Sequence, residues 1–171
     1  MSSILDIIEA ISARLPQSVN VQIGPEYISS TSALPRVVWV ATDDTFVAPP
    51  NRNARARRAI HTAHSTWQAL IYVAANKKAP LDSFRALEQL RDQLLGAIFD
   101  ECRGNATVLS GHFEQQDSAA ILHHGRTYSL QVQFAVEVLA SGMSARALAP
   151  IEDRIVRGDF TAAIEVNHGN S

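Results

Sequence analysis

"RTYSLQVQFAVEVLA" (126–140) alternates without a slip: Tyr128, Leu130, Val132, Phe134, Val136 and Val138 stand against Thr127, Ser129, Gln131, Gln133, Ala135 and Glu137. A period of two with one apolar and one polar face predicts an antiparallel strand covered on one side only. The stretch is long for a strand, and its apolar face must be buried under something. The rest of the chain has to supply that cover.

Two stretches do so. Residues 3–15 place Ile4, Ile7, Ile8, Ile11 and Leu15 at helical spacing, with Ser2 or Ser3 as cap and Pro16 as stop. Asp82 caps a second predicted helix that runs to about Cys102, with Phe84, Leu87, Leu90 or Arg91, Leu94, Leu95 and Ile98 as its stripe and Gly104 placed to end it. Neither stripe is stable alone, so both must dock on the sheet.

Four further strands are predicted. "VNVQIGPEYI" (19–28) alternates and then breaks at Gly24-Pro25, and "PRVVWVATDD" (35–44) is rich in β-branched residues and opens on Pro35. "AIHTAHSTWQALIYVAAN" (59–76) sends Trp67, Ala69, Ile71 and Val73 one way and Thr66, Gln68 and Tyr72 the other, with Leu70 as an exception. Residues 106–116 form a weaker strand. Residues 43–58 keep no apolar period and read as a long loop, a length that in compact domains usually serves function. The fold class is therefore α+β: a mainly antiparallel sheet with two principal helices packed on one face. Residues 141–171 read as a linker, a short helix after Pro150 and a final short strand at Phe160, Ala162, Ile164 and Val166.

The 171 residues are 46% hydrophobic and 19% charged, the composition of a globular chain. A net charge of −2 excludes a general polyanion binder, so any nucleic-acid contact must be local. The single cysteine, Cys102, excludes an internal disulfide framework. "MSSILDIIEAISARL" lacks the basic start and continuous apolar run of a secretory signal or membrane span, which predicts synthesis in the cytoplasm.

No constellation carries catalysis. There is no Gly-x-Ser-x-Gly elbow, phosphate-binding Gly-rich loop or dinucleotide fingerprint. His61 and His64 lie three apart on a predicted strand and so face opposite ways. His123 and His124 read as turn residues that could meet His112 across a hairpin, without ligand spacing to reinforce them. Asp43-Asp44 could bind a divalent cation or act in acid–base chemistry, but adjacent carboxylates at a strand end more often form a turn; Glu152-Asp153 read as first-turn acids of a helix. Cys102 lacks an electropositive helix start to lower its pKa. The expectation is no enzyme, no cofactor and no metal.

"NRNARARR" (51–58) is different: Arg52, Arg55, Arg57 and Arg58 put four of the chain's 15 basic residues into one loop. The run can be simply a solvated basic loop; arginine forks also suit a neighbouring subunit's carboxylates, and phosphates without reading base sequence. No aromatic residue is interleaved, which disfavours base stacking.

In order and pattern, these pieces resemble the tail-terminator (tail-completion or neck) proteins of long-tailed bacteriophages. The resemblance is carried by "ILDIIEAISARL", "LPRVVWVATDD" leading into a long loop, "TWQALIYVAANK" running into "SFRALEQLRDQLLGAI", and "RTYSLQVQFAVEVLA". It covers roughly residues 3–140, and 1–140 are read as one tail-terminator-like domain with 141–171 as an extension past the usual last strand. The resemblance implies a structural virion protein. It would form a homohexameric ring at the head–tail junction, cap the tail tube and dock to the head connector or neck proteins. It implies no catalysis and no membrane, and it makes the arginine loop a candidate for a DNA channel or a subunit interface. Two alternatives stand beside it. One is a small nucleic-acid-binding protein acting through residues 52–58, and the other an enzyme using His123, His124 or Asp43.

Overall fold

The computed structural model describes residues 3–47 and 60–139. The arginine run and the predicted tail elements lie outside the described residues. Among those described, 3–47 and 62–137 form one compact unit. His61 and Val138 belong to a second unit.

The element order is α1 (Ile4–Ala13), β1 (Asn20–Ile23), a 3-10 turn (Pro25–Tyr27), β2 (Arg36–Val47), β3 (Ile60–Val73), α2 (Pro80–Cys102), β4 (Ala106–Phe113), α3 (Ser118–His124) and β5 (Arg126–Leu139). The strands make one sheet in the order β1-β2-β3-β5-β4. β1 pairs parallel to β2, whereas β2–β3 and β4–β5 are antiparallel. The fold is α+β, as expected from the alternation in 126–140.

That alternation has the predicted consequence for the apolar face, but the strand is not covered on one side only: Thr127 and Ser129 on the polar face are buried as well. Tyr128, Leu130, Val132 and Phe134 enter the main core together with Trp39, Trp67, Ala69 and Ile71 of the central strands. Ile8 and Ile11 of α1 and Leu87, Leu90, Leu94 and Ile98 of α2 close over them. Each such side chain, fully buried, contributes about 1.5–3 kcal/mol before conformational entropy is subtracted. α1 starts at a reciprocal cap: Ser3 Oγ accepts from the Asp6 amide at 3.1 Å, and Asp6 Oδ2 accepts from the Ser3 amide at 2.7 Å.

Several expectations are corrected. β2 does not end at Asp44 but continues to Val47, so the loop read as 43–58 begins later. Asp43 and Asp44 are strand residues opposite Thr66 and Ser65, not turn formers. The N-cap of α2 is Ala79; Asp82 lies in the first turn, where its carboxylate faces the positive helix end. Phe84 stands on the helix flank, against Phe113, and not in the buried stripe. His123 and His124 close a short helix, α3, and do not sit in a turn. Leu70 is no exception: with Val38 and Tyr72 it forms a second small core on the opposite face of the sheet.

That second core explains the parallel pair. A parallel connection has to cross the sheet. Here residues 24–35 make the crossing as a strap over the face opposite α1 and α2, with Leu34 packed on the small core. Arg36 ties the strap down. Its guanidinium is wholly buried. Nη1 donates to the Tyr27 carbonyl at 3.2 Å and to Ser32 Oγ at 3.1 Å, and Nη2 donates to the Ile28 carbonyl at 3.2 Å. The cation also sits 4.2 Å from the centre of the Tyr72 ring.

Candidate functional site

The residues singled out from sequence do not converge. Arg52, Arg55, Arg57 and Arg58 lie outside the described residues, as do Glu152 and Asp153. Asp43 and Asp44 are successive strand residues and so point to opposite faces of the sheet, which prevents them from chelating one ion. His61 and His64 both lie on β3. β4 and β5 do pair, as the hairpin idea for His112 required, but α3 intervenes between them. His112 Nε2 lies 3.2 Å from Glu114 Oε1, and the rings of His123 and His124 are 6.4 Å apart. Among the described residues, no three His, Cys, Asp or Glu side chains come together as a metal site.

Cys102 is buried at the end of α2. Burial, then the neighbouring Glu101 charge, pushes its thiol up from the usual range, the opposite of an activated nucleophile. Burial also pushes the Arg36 guanidinium down, partly opposed by Tyr72, and raises the Tyr72 hydroxyl. Both groups are committed to holding the strap.

What the fold does present, among the described residues, is two open sheet edges, of which the sequence marks only the strand opening on Pro35 as fitting an edge or a strand entrance. β1 pairs β2 only over Arg36–Trp39, because Gly24, at φ +132, turns the chain away. Past Trp39, β2 is paired on one side only among the described residues, and residues 41–47 are all exposed. This arm ends in Phe46 and Val47, which are 64% and 53% exposed. The second open edge is β4, which among the described residues pairs only with β5 and carries Leu109 and Phe113 at 47% and 42% exposure. Phe113 stacks edge-on to Phe84 of α2 at 5.7 Å and to Tyr128 at 5.1 Å, and the Arg126 guanidinium lies 4.1 Å over the Phe84 ring. Each edge carries a bulge, at Thr42 and at Leu109. Unpaired edge amides and carbonyls accept another strand, and large exposed apolar side chains beside them favour protein contact. The available signal was faint: a "TFV" run after two acids, and apolar residues out of step in a weak strand.

No helix among the described residues is long and apolar enough to cross a membrane. No family model matches the chain, and no curated protein matches it. Among solved structures, it is similar to one described as the sheath/tube terminator of an extracellular contractile injection system, PVC, in the extended state. The identity is 12% and the TM-score 0.44; the likeness covers 82% of this chain, which spans 59% of that chain. At that score the likeness carries neither a fold nor a function across.

Proposed function

We propose that this chain is a structural virion protein that assembles into a ring at the head–tail junction, where it caps the tail tube and docks to the head connector. The observation that carries the reading is the sheet open at both ends, with Phe46 and Val47 exposed at one edge and Leu109 and Phe113 at the other. The bulges at Thr42 and Leu109 and the acids Asp43 and Asp44 deter pairing with an arbitrary strand, while these large apolar side chains stay exposed for a fitted partner. The stretches that carry the resemblance also fold as that reading requires: amphipathic helix, outgoing strand, central strand into a long helix, and a late strand. In this role the chain needs no catalytic group, cofactor or metal. Arg52, Arg55, Arg57 and Arg58 then face a neighbouring subunit's acids or the channel that DNA traverses.

Electron microscopy of the purified full chain tests the reading. Rings are expected. A monomeric mass in native mass spectrometry, both alone and with tail-tube protein, would count decisively against it.

A second reading, a small nucleic-acid-binding protein, is favoured by the concentration of four arginines at 52–58 in a chain of net charge −2. It requires duplex binding that weakens steeply with salt and disappears when the four become alanine. Equal, negligible binding by both forms removes it.

A further inference from the structure

We infer that the outer edge of β2, residues 40–47, pairs with the outer edge of β4, residues 106–113, of a second copy of this chain, continuing the sheet from one subunit into the next. The inference rests on the ring reading and gives it an interface.

The first ground is length. β4 spans eight residues, and the part of β2 that β1 leaves unpaired, 40–47, has the same extent. At about 3.3 Å per residue each edge is roughly 26 Å long, so one can satisfy the backbone donors and acceptors of the other along its whole length.

The second ground is shape. A bulge on an edge strand deters pairing with an arbitrary flat strand, because the bend breaks the ladder partway along. It leaves as the fitting partner a strand with a bend of its own. β2 and β4 each have one, between Ala41 and Asp43 and between Val108 and Ser110. Neither edge carries the lysine or proline that commonly closes an edge outright.

The third ground is the side chains. Phe46 lies opposite Ala63, on the face that packs against the helices, and Phe113 lies opposite Tyr128 on that same face. In a continued sheet with the helices kept on one side, β2 and β4 run antiparallel, so Phe46 of one copy comes beside Ala106 and Val108 of the next. Asp43 and Asp44 are exposed on the β2 edge, with no ion-pair partner among the described residues. The β4 edge is flanked by Arg103, exposed at the end of α2, and by Arg126 at the start of β5. Nearby acids there are already engaged: Glu114 lies 3.2 Å from His112, and Asp117 Oδ1 accepts from the Ala120 amide at 2.7 Å. Asp43 and Asp44 thus meet an edge that carries no carboxylate of its own and has an arginine beyond each end.

Because the two edges differ, the contact is head-to-tail, and repeated head-to-tail contact gives a ring where the rotation closes. The same logic supplies the test. One variant, Asp43→Arg with Phe46→Lys, spoils only the β2 edge. The other, Thr107→Lys with Leu109→Lys, spoils only the β4 edge. All four residues are exposed, so near-ultraviolet circular dichroism of each variant should match the wild type. In native mass spectrometry each variant alone is expected at the 18.6 kDa of one chain. Mixed, they are expected to form a dimer of twice that mass and nothing larger, because each retains the one edge the other lacks.

Rings that persist in both variants overturn the pairing and leave the ring reading standing. A wild type that is itself monomeric overturns both. If the β4 variant alone still dimerises while the β2 variant does not, the contact joins like edges and the head-to-tail inference is wrong. Hydrogen exchange on the wild type gives an independent check. Amides in 40–47 and 106–113 should be slowed in the assembled protein and fast once it is diluted to monomer; no difference between the two states overturns the pairing.

Discussion

Replacing Arg36 tests the account of the strap. Its buried guanidinium has no carboxylate partner among the described residues, and its Nε is buried without a hydrogen bond; three hydrogen bonds to Tyr27, Ile28 and Ser32 and the Tyr72 ring hold it instead. Three hydrogen bonds contribute about 3 kcal/mol net, and the cation over Tyr72 about 1 kcal/mol more. Against this stands the cost of removing the charge from water, which is several kcal/mol for a buried ion. The carbonyls are not orphaned by its loss: Tyr27 also accepts from the Ser30 amide at 3.2 Å, and Ile28 from the Tyr72 hydroxyl at 3.3 Å. Arg36→Met, which keeps the volume and removes the charge, is therefore expected to cost only about 1–2 kcal/mol. Arg36→Lys keeps a buried charge but has no planar fork to reach all three acceptors, and is expected to cost about 3 kcal/mol or more. Urea unfolding with linear extrapolation measures both. Hydrogen exchange at the Ile28 and Ser30 amides, which bond to Pro25 and Tyr27 within the strap, should quicken in both variants. A lysine variant as stable as the wild type, or a methionine variant less stable than the lysine one, refutes the reasoning.

Other outcomes follow from the core and the turns. Phe134→Ala removes a fully buried ring 6.0 Å from Trp39, and urea denaturation should register a loss of about 3–5 kcal/mol. Gly125 sits at φ +81, where an added Cβ would run into the Val73 carbonyl, so Gly125→Ala should cost about 2 kcal/mol or more in the same assay. Burial and Glu101 raise the Cys102 thiol above its unfolded value of about 8.5, so the unfolded chain gives up its proton first. Stability from this group is whole below that pH and declines as pH rises toward the folded value; Cys102→Ala should lessen the fall in Tm across that range. A thiol reagent at neutral pH should label Cys102 slowly in the native chain and fast in urea, and equal rates would contradict its burial.

The parts of the fold that were legible in sequence are those whose signal is local. In 126–140 the period of two and the choice of face are written in neighbouring residues, because the face under the helices takes an apolar side chain at every second position. The stripes of α1 and α2 are local in the same sense, and so is the Ser3 cap. β2 beyond Asp44 left no such mark. Its residues 41–47 are exposed, and where nothing is buried nothing imposes a period. α3 was missed although Asp117 and Gly125 bracket it as cap and stop, because a helix of seven residues is too short for its spacing to stand out.

The sequence alone determined that this is an α+β chain and that one sheet face is covered by two helices. It did not reveal which strands would be left open. Edge status depends on the order β1-β2-β3-β5-β4, and that order is set by how distant segments pack, not by any one segment's residues. Arg36 shows the same division. Nothing beside it in "LPRVVW" says that it is buried; the strap that crosses the sheet brings the Tyr27 and Ile28 carbonyls to it and makes a buried charge tolerable. Likewise only the pairing of β2 with β3 sends Asp43 and Asp44 to opposite faces, turning a possible ion site into two separate charges along an open edge.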